Sequence, residues 1–143
     1  MNRIRISKDD YYLNIANAVS LRSTCLRRQY GAVIVKNDEI IATGYNGSSR
    51  GETNCCDIHT ECPRKNKSHN SGDYSDCPAV HAEQNALLSA ARTNTLNATL
   101  YLFGNEFDEN NTLRPIENIA PCPICERMIR NAGIKRIVTP NNK

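Results

Sequence analysis

His81-Ala82-Glu83 and, some forty residues on, Pro121-Cys122-Pro123-Ile124-Cys125 constrain this chain more than any other feature in it. One imidazole and two thiolates form a zinc-binding donor set. To serve one ion, two segments far apart in sequence have to meet. Three protein bonds leave the fourth position on zinc open, which is the layout of a catalytic rather than a structural site. Both clusters are expected to open helices. Val80 to Ala91 and Ile124 to Ala132 carry apolar residues at helical spacing. A helix N-terminus favours negative charge, which suits the thiolates of Cys122 and Cys125.

Glu83 lies two residues from His81. Zinc lowers the pKa of a bound water towards neutrality, but two thiolates neutralise most of the metal's charge, so a general base is needed as well. Glu83 is the candidate: it can take the water proton and deliver it to a ring nitrogen and a leaving amine. A closed structural zinc site would need a fourth ligand and would leave Glu83 without a role.

A chain of 143 residues is near the commonest domain size, and one domain over residues 1–143 is expected. Met1 to Ser7 alternates charged and apolar residues and holds no secretory core. No apolar run approaches a membrane span, so a cytoplasmic protein is expected. The net charge of +3 is scattered. Arg27-Arg28 and Arg64-Lys65 with Lys67 are the nearest approach to a basic cluster, and a solvated face explains them better than nucleic acid does.

Ser7 and Asp10 read as a capping box ahead of a helix from Lys8 to Arg22, with Tyr12, Ile15, Ala16 and Val19 inward. Gly31 to Val35 is a strand, Asn37-Asp38 a turn, and Glu39 to Thr43 the hairpin partner. Thr99 to Phe103 and Lys135 to Val138 are further strands. Strands alternating with helices indicate an α/β layered domain. Two segments break the pattern. Gly104 to Ala120 reads as a polar surface excursion. Arg50 to Pro78 is a long polar loop with no periodic apolar face.

Metal explains the long loop. Seven cysteines in a reducing compartment point to metal rather than disulfides. Two belong to the catalytic site. A second, structural zinc would supply folding energy where no core exists. The best four-thiolate set is Cys25, Cys55, Cys62 and Cys77, with His59 or His69 as substitutes.

The chain resembles the deoxycytidylate (dCMP) deaminase family of the cytidine deaminase superfamily. H-x-E followed by P-C-x-x-C is the signature of the zinc deaminases. The matching stretches are Ser23 to Val35, Thr43 to Ser48, Cys77 to Leu87, Pro121 to Cys125 and Asn131 to Ile134. Gly44-Tyr45-Asn46-Gly47 and His81-Ala82-Glu83-Gln84-Asn85-Ala86 point to the dCMP branch.

The resemblance implies a three-layer α-β-α sandwich with a mixed sheet, and a homo-oligomer, often a hexamer. It implies deamination of dCMP to dUMP, with Asn46 hydrogen-bonding the nucleotide and Arg27 or Arg28 holding its phosphate. A second zinc through Cys25 and Cys55 agrees with the loop argument. The resemblance also implies dCTP activation and dTTP inhibition at a separate site, with Arg92 in the matching place. Where the family commonly carries an aromatic after the last strand, this chain has Val138-Thr139-Pro140. The alternatives are a deaminase of another cytosine compound or RNA base, and an inactive zinc protein that binds nucleotide or DNA.

Overall fold

The structure is a computed structural model and describes residues 2–143 apart from 70 and 73. The first helix, α1, runs Lys8–Ser20, with the Ser7 side chain accepting from the amide of Asp10. It stops two residues earlier than the sequence suggests. The Ser20 hydroxyl donates to the Asn17 carbonyl at 2.6 Å and accepts from the Asn105 amide at 3.0 Å, which draws the helix end into the interior. There α1 lies almost on the next strand: a Cβ on Gly31 would sit 2.0 Å from the Ala16 carbonyl oxygen.

β1 (Arg28–Lys36) and β2 (Glu39–Tyr45) form the expected hairpin. Asn37 and Asp38 both take positive φ, 52° and 62°, which short polar side chains tolerate in a two-residue turn. β5 (Thr99–Phe107) pairs antiparallel with the other edge of β1. On the far edge of β5 two short strands share the length. β7 (Arg136–Val138) runs parallel to its start and β6 (Leu113–Pro115) antiparallel to its end. The sheet is therefore mixed.

Alternation along the strands separates the layers. Val33, Val35, Tyr101 and Val138 meet Tyr12, Leu13 and Ala16 of α1 on one face. Ala32, Ile34, Ala42, Leu100 and Leu102 face the other way. They pack on Ala82, Ala86 and Ala90 of α3 (Ala82–Ala90) and on Ile129 of α5 (Pro123–Asn131). This is the expected three-layer sandwich. Among the described residues no helix is long and apolar enough to cross a membrane.

Two sequence expectations need correction. Gly104 to Ala120 is no mere surface excursion. β5 continues through it to Phe107, and Asp108 turns the chain by accepting from the amides of Asn110 and Thr112, both at 2.9 Å. β6 then returns, and Ile116 and Ile119 are buried in the core. Isolated apolar residues in a polar run show no period, so this hairpin was invisible. The long loop also holds structure: the one-turn helix α2 (Cys55–Ile58) and a two-stranded ladder of β3 (Gly47–Ser48) with β4 (Ala79–Val80). That ladder clips the loop's two ends together. A short helix, α4 (Arg92–Thr95), follows α3.

Candidate active site

The N-termini of α3 and α5 converge. His81 is the N-cap of α3, with extended backbone, and its amide donates to the Gln84 side chain at 2.9 Å. Asn85 donates to the Tyr45 carbonyl at 2.8 Å, tying the first turn of α3 to the end of β2. Gly44 makes that approach possible, since a Cβ there would lie 2.4 Å from both the Ala82 carbonyl oxygen and the Ala86 nitrogen. Cys122 is the N-cap of α5, Pro123 follows at the start of the helix, and the Cys125 amide donates to the Cys122 sulfur at 3.4 Å.

The two termini bring His81, Cys122 and Cys125 together, their ligand atoms within 4.8 Å of one another. His81 Nδ1 lies 3.2 Å from Cys125 Sγ and 3.6 Å from Cys122 Sγ. A tetrahedral zinc with ordinary Zn–N and Zn–S bonds sets nitrogen and sulfur about 3.6 Å apart. Spacing and donor chemistry both fit zinc, the metal that mixed thiolate and imidazole sets select. Burial pushes the Cys125 thiol up, and the neighbouring Glu83 charge adds to the effect. A divalent cation reverses such a shift, because a coordinating thiol is deprotonated.

Glu83 is 5% exposed, and its charge acts on the neighbouring Cys125 thiol. Burial raises its pKa, against the opposing pull of a backbone hydrogen bond and the His81 charge. A buried carboxyl of raised pKa beside a metal triad is equipped to pick up and return a proton.

The triad opens into a cavity of about 100 Å³ lined by Cys25, Arg27, Arg28, Tyr30, Asn46, Cys62, Arg64, His69, Tyr74, Cys77, Ala79, His81, Glu83, Ala120 and Cys122. Asn46 is pinned to β1: its Oδ1 accepts from the Tyr30 amide at 2.8 Å and its Nδ2 donates to the Arg28 carbonyl at 2.9 Å. One N–H and one lone pair remain for a ligand. Arg28 is paired with Glu106 at 3.3 Å and donates to the Tyr30 hydroxyl at 3.0 Å. Arg27 donates to the Arg64 carbonyl at 3.1 Å and, among the described residues, has no carboxylate partner. Positive charge gathers at this end of the cavity. Partial burial, then Arg28 and Arg27, drive the His69 imidazole down to about 4.

The chain matches the family model for the cytidine and deoxycytidylate deaminase zinc-binding region over residues 6–140. It belongs to that deaminase family. The chain is 38% identical to the deoxycytidylate deaminase of Mycobacterium phage D29, covering 92% of this chain and 93% of that one. It is 39% identical to the deoxycytidylate deaminase of Schizosaccharomyces pombe, covering 96% of this chain but only 38% of that longer protein. Its fold is similar to that of the dCMP deaminase of cyanophage S-TIM5 in complex with dCMP and dUMP. That match has a TM-score of 0.65 at 29% identity and covers 96% of this chain and 83% of that one.

The remaining expected residues divide. Cys25, Cys55, Cys62 and Cys77 line one neighbouring cavity of about 20 Å³, room for a single small ion or water. Cys25 Sγ accepts from the Arg27 amide at 3.5 Å and Cys62 Sγ from the Arg64 amide at 3.4 Å; burial pushes the Cys25 thiol up, against the pull of its amide bonds. The four sulfurs do not gather as tightly as the triad does. His69 lines the triad cavity instead, and His59 is exposed. Cys25 precedes β1 in a loop rather than ending α1. Arg92 opens α4 and donates to the Asn131 carbonyl at the end of α5, at 2.8 Å. Sequence reasoning missed Tyr74 and misjudged Arg64. Lys65 and Lys67 are solvated as expected, but Arg64 is 4% exposed and faces the site. The one available signal was that Tyr74 is the sole aromatic between Arg50 and Pro78.

Proposed function

We propose that the chain hydrolyses dCMP to dUMP and ammonia, supplying dUMP for dTTP synthesis, and that residues 1–143 act as one zinc-dependent deaminase domain. The observation that carries this reading is a His-Cys-Cys triad beside a buried glutamate, in one cavity with an asparagine and an arginine suited to a nucleotide. The likeness to a deaminase held with dCMP and dUMP supports the same substrate.

His81, Cys122 and Cys125 would hold the zinc, which supplies water activation near neutral pH when bound. Glu83 takes one water proton and delivers it to the pyrimidine ring nitrogen, which keeps it; it then carries the second proton, from the oxygen now bonded to the ring carbon, to the departing amine as the C–N bond breaks, so that water and dCMP become dUMP and ammonia. Asn46 reads the sugar with its remaining N–H and lone pair. Arg27 holds the phosphate: its planar fork suits bidentate binding, and Arg28 is already paired with Glu106. A single phosphate site and a small scattered charge favour a mononucleotide over a polynucleotide.

A second, structural zinc at Cys25, Cys55, Cys62 and Cys77 is supported by their shared cavity and by the amide-to-sulfur bonds. Assembly as a homo-oligomer, a hexamer by preference, regulation by dCTP and dTTP with Arg92 involved, and a cytoplasmic location follow from the family resemblance.

Purified protein assayed for ammonia release on dCMP, CMP, deoxycytidine and dCTP tests the reading. dCMP should outrun deoxycytidine by orders of magnitude, because a site built around hydrogen bonds rejects analogues that lack them. Comparable turnover of deoxycytidine, or faster turnover of an RNA stem-loop, would overturn it.

A further inference from the structure

Tyr74 stands beside the metal triad with nothing in the proposed chemistry to explain it. Its ring centroid is 6.4 Å from that of His81, at 76° to it, and the side chain lines the triad cavity. The ring remains 36% exposed. A large ring on a polar loop does not hold such a position without support.

Arg64 supplies the support. Its guanidinium lies over the Tyr74 ring, 4.3 Å from the centroid. The same group donates to Ser71 Oγ at 2.6 Å and to Asp76 Oδ1 at 3.2 Å, so it grips the chain on both sides of Tyr74. Its main chain is fixed as well. The amide bonds Cys62 Sγ at 3.4 Å and the carbonyl accepts from Arg27 at 3.1 Å. Taking a guanidinium out of water is costly unless partners surround it. Arg64 is 4% exposed in a segment with almost no apolar packing. That is a large commitment merely to order a loop, and its partners include an aromatic ring set against His81 of the triad.

We propose that Tyr74 is a substrate-binding residue, the wall against which the substrate's pyrimidine ring packs, and that Arg64 is the positioning residue that holds it there. This rests on the dCMP reading and deepens it. Reaction at the amine-bearing carbon requires the pyrimidine ring to lie beside the His81, Cys122 and Cys125 group, and Tyr74 is the aromatic ring next to His81. Stacking or edge contact between a base and an aromatic side chain is worth about 5- to 100-fold in affinity. Every pyrimidine has the face to use it, so the wall contributes binding while the phosphate and sugar contacts discriminate.

The test is steady-state kinetics on dCMP for wild type, Tyr74→Phe, Tyr74→Ala, Arg64→Gln and the double variant, with zinc content and melting temperature measured beside them. Tyr74→Ala should raise KM about 10- to 50-fold, with kcat within about threefold and zinc unchanged, while Tyr74→Phe stays near wild type. Arg64→Gln should raise KM in the same way. The double variant should be no worse than Tyr74→Ala alone, since Arg64 acts through Tyr74. An unchanged KM in Tyr74→Ala overturns the proposal, and fully additive effects overturn the role of Arg64. Should Arg64→Gln fail to fold, the contrast between Tyr74→Phe and Tyr74→Ala decides by itself. A wild type that deaminates another cytosine compound but not dCMP overturns the substrate reading alone, and the same KM contrast on that compound then decides the role of Tyr74. No deamination by wild type overturns both.

Discussion

Glu83 is two residues from His81 and buried, but it is not among the three residues whose ligand atoms gather. Glu83→Ala should therefore keep its catalytic zinc and lose turnover by about 10²- to 10⁴-fold. Metal analysis beside the ammonia assay checks this, and substantial residual activity would remove the assigned role. That His81, Cys122 and Cys125 come together was legible from residue type and spacing, because metal chemistry tolerates few substitutes at those places. Asn46 was legible only in part. Its amide is committed to the backbone of β1 by two hydrogen bonds, and no local pattern announces such a clamp. Arg64 was misread for a related reason: one arginine in a basic run looks solvated until its partners, several residues on, are known.

The elements place the site through close contacts between backbones. α3 can set His81 at the triad because Gly44 lets its first turn rest on β2. Gly44→Ala puts a methyl within 2.4 Å of two backbone atoms, neither of which can swing away. We expect a loss of about 2 kcal/mol in stability, read by denaturant unfolding, and a fall in activity as the first turn of α3 is displaced. A second element contact is electrostatic. Asp9 of α1 forms a two-pronged pair with Arg136 of β7, at 3.0 and 2.6 Å, and accepts from the Tyr101 hydroxyl at 2.9 Å. The Arg136 hydrogen bonds hold the Asp9 carboxyl below its ordinary range, outweighing burial, with Tyr101 assisting. A lowered folded-state pKa contributes stability that is present above the unfolded value near 4 and is lost as pH falls through the folded value. Asp9→Asn should thus lower the melting temperature at neutral pH, with the gap to wild type closing below about pH 4. A gap that persists in acid would assign the effect to packing instead. Helix and strand cores were legible from their periods, and the ends were not. α1 stops at Ser20 because of hydrogen bonds with Asn17 and Asn105, the latter from a strand remote in sequence.

At the scale of the whole molecule, the long loop is ordered by ion pairs and clips rather than by a core. Its ends are joined by the β3–β4 ladder, and Cys55, Cys62 and Cys77 meet Cys25 in one small cavity. We expect two zinc ions per chain by elemental analysis of fresh protein, falling by one in Cys25→Ser or Cys55→Ser. A wild-type ratio of one would leave the cavity without its metal. The sequence by itself determined the layered α/β class and the metal triad with its glutamate. Both are written in short-range signals, the periods of helix and strand and the spacing of scarce ligands. It also marked four cysteines as a set, without placing them. Only the tertiary structure decided that these four share one cavity, that His69 faces the other, and that the polar excursion hides a strand and two core isoleucines. Only the tertiary structure brought Arg64 and Tyr74 to the metal triad. Those outcomes depend on which surfaces meet once the sheet has formed, and contacts between residues distant in sequence leave no period to read.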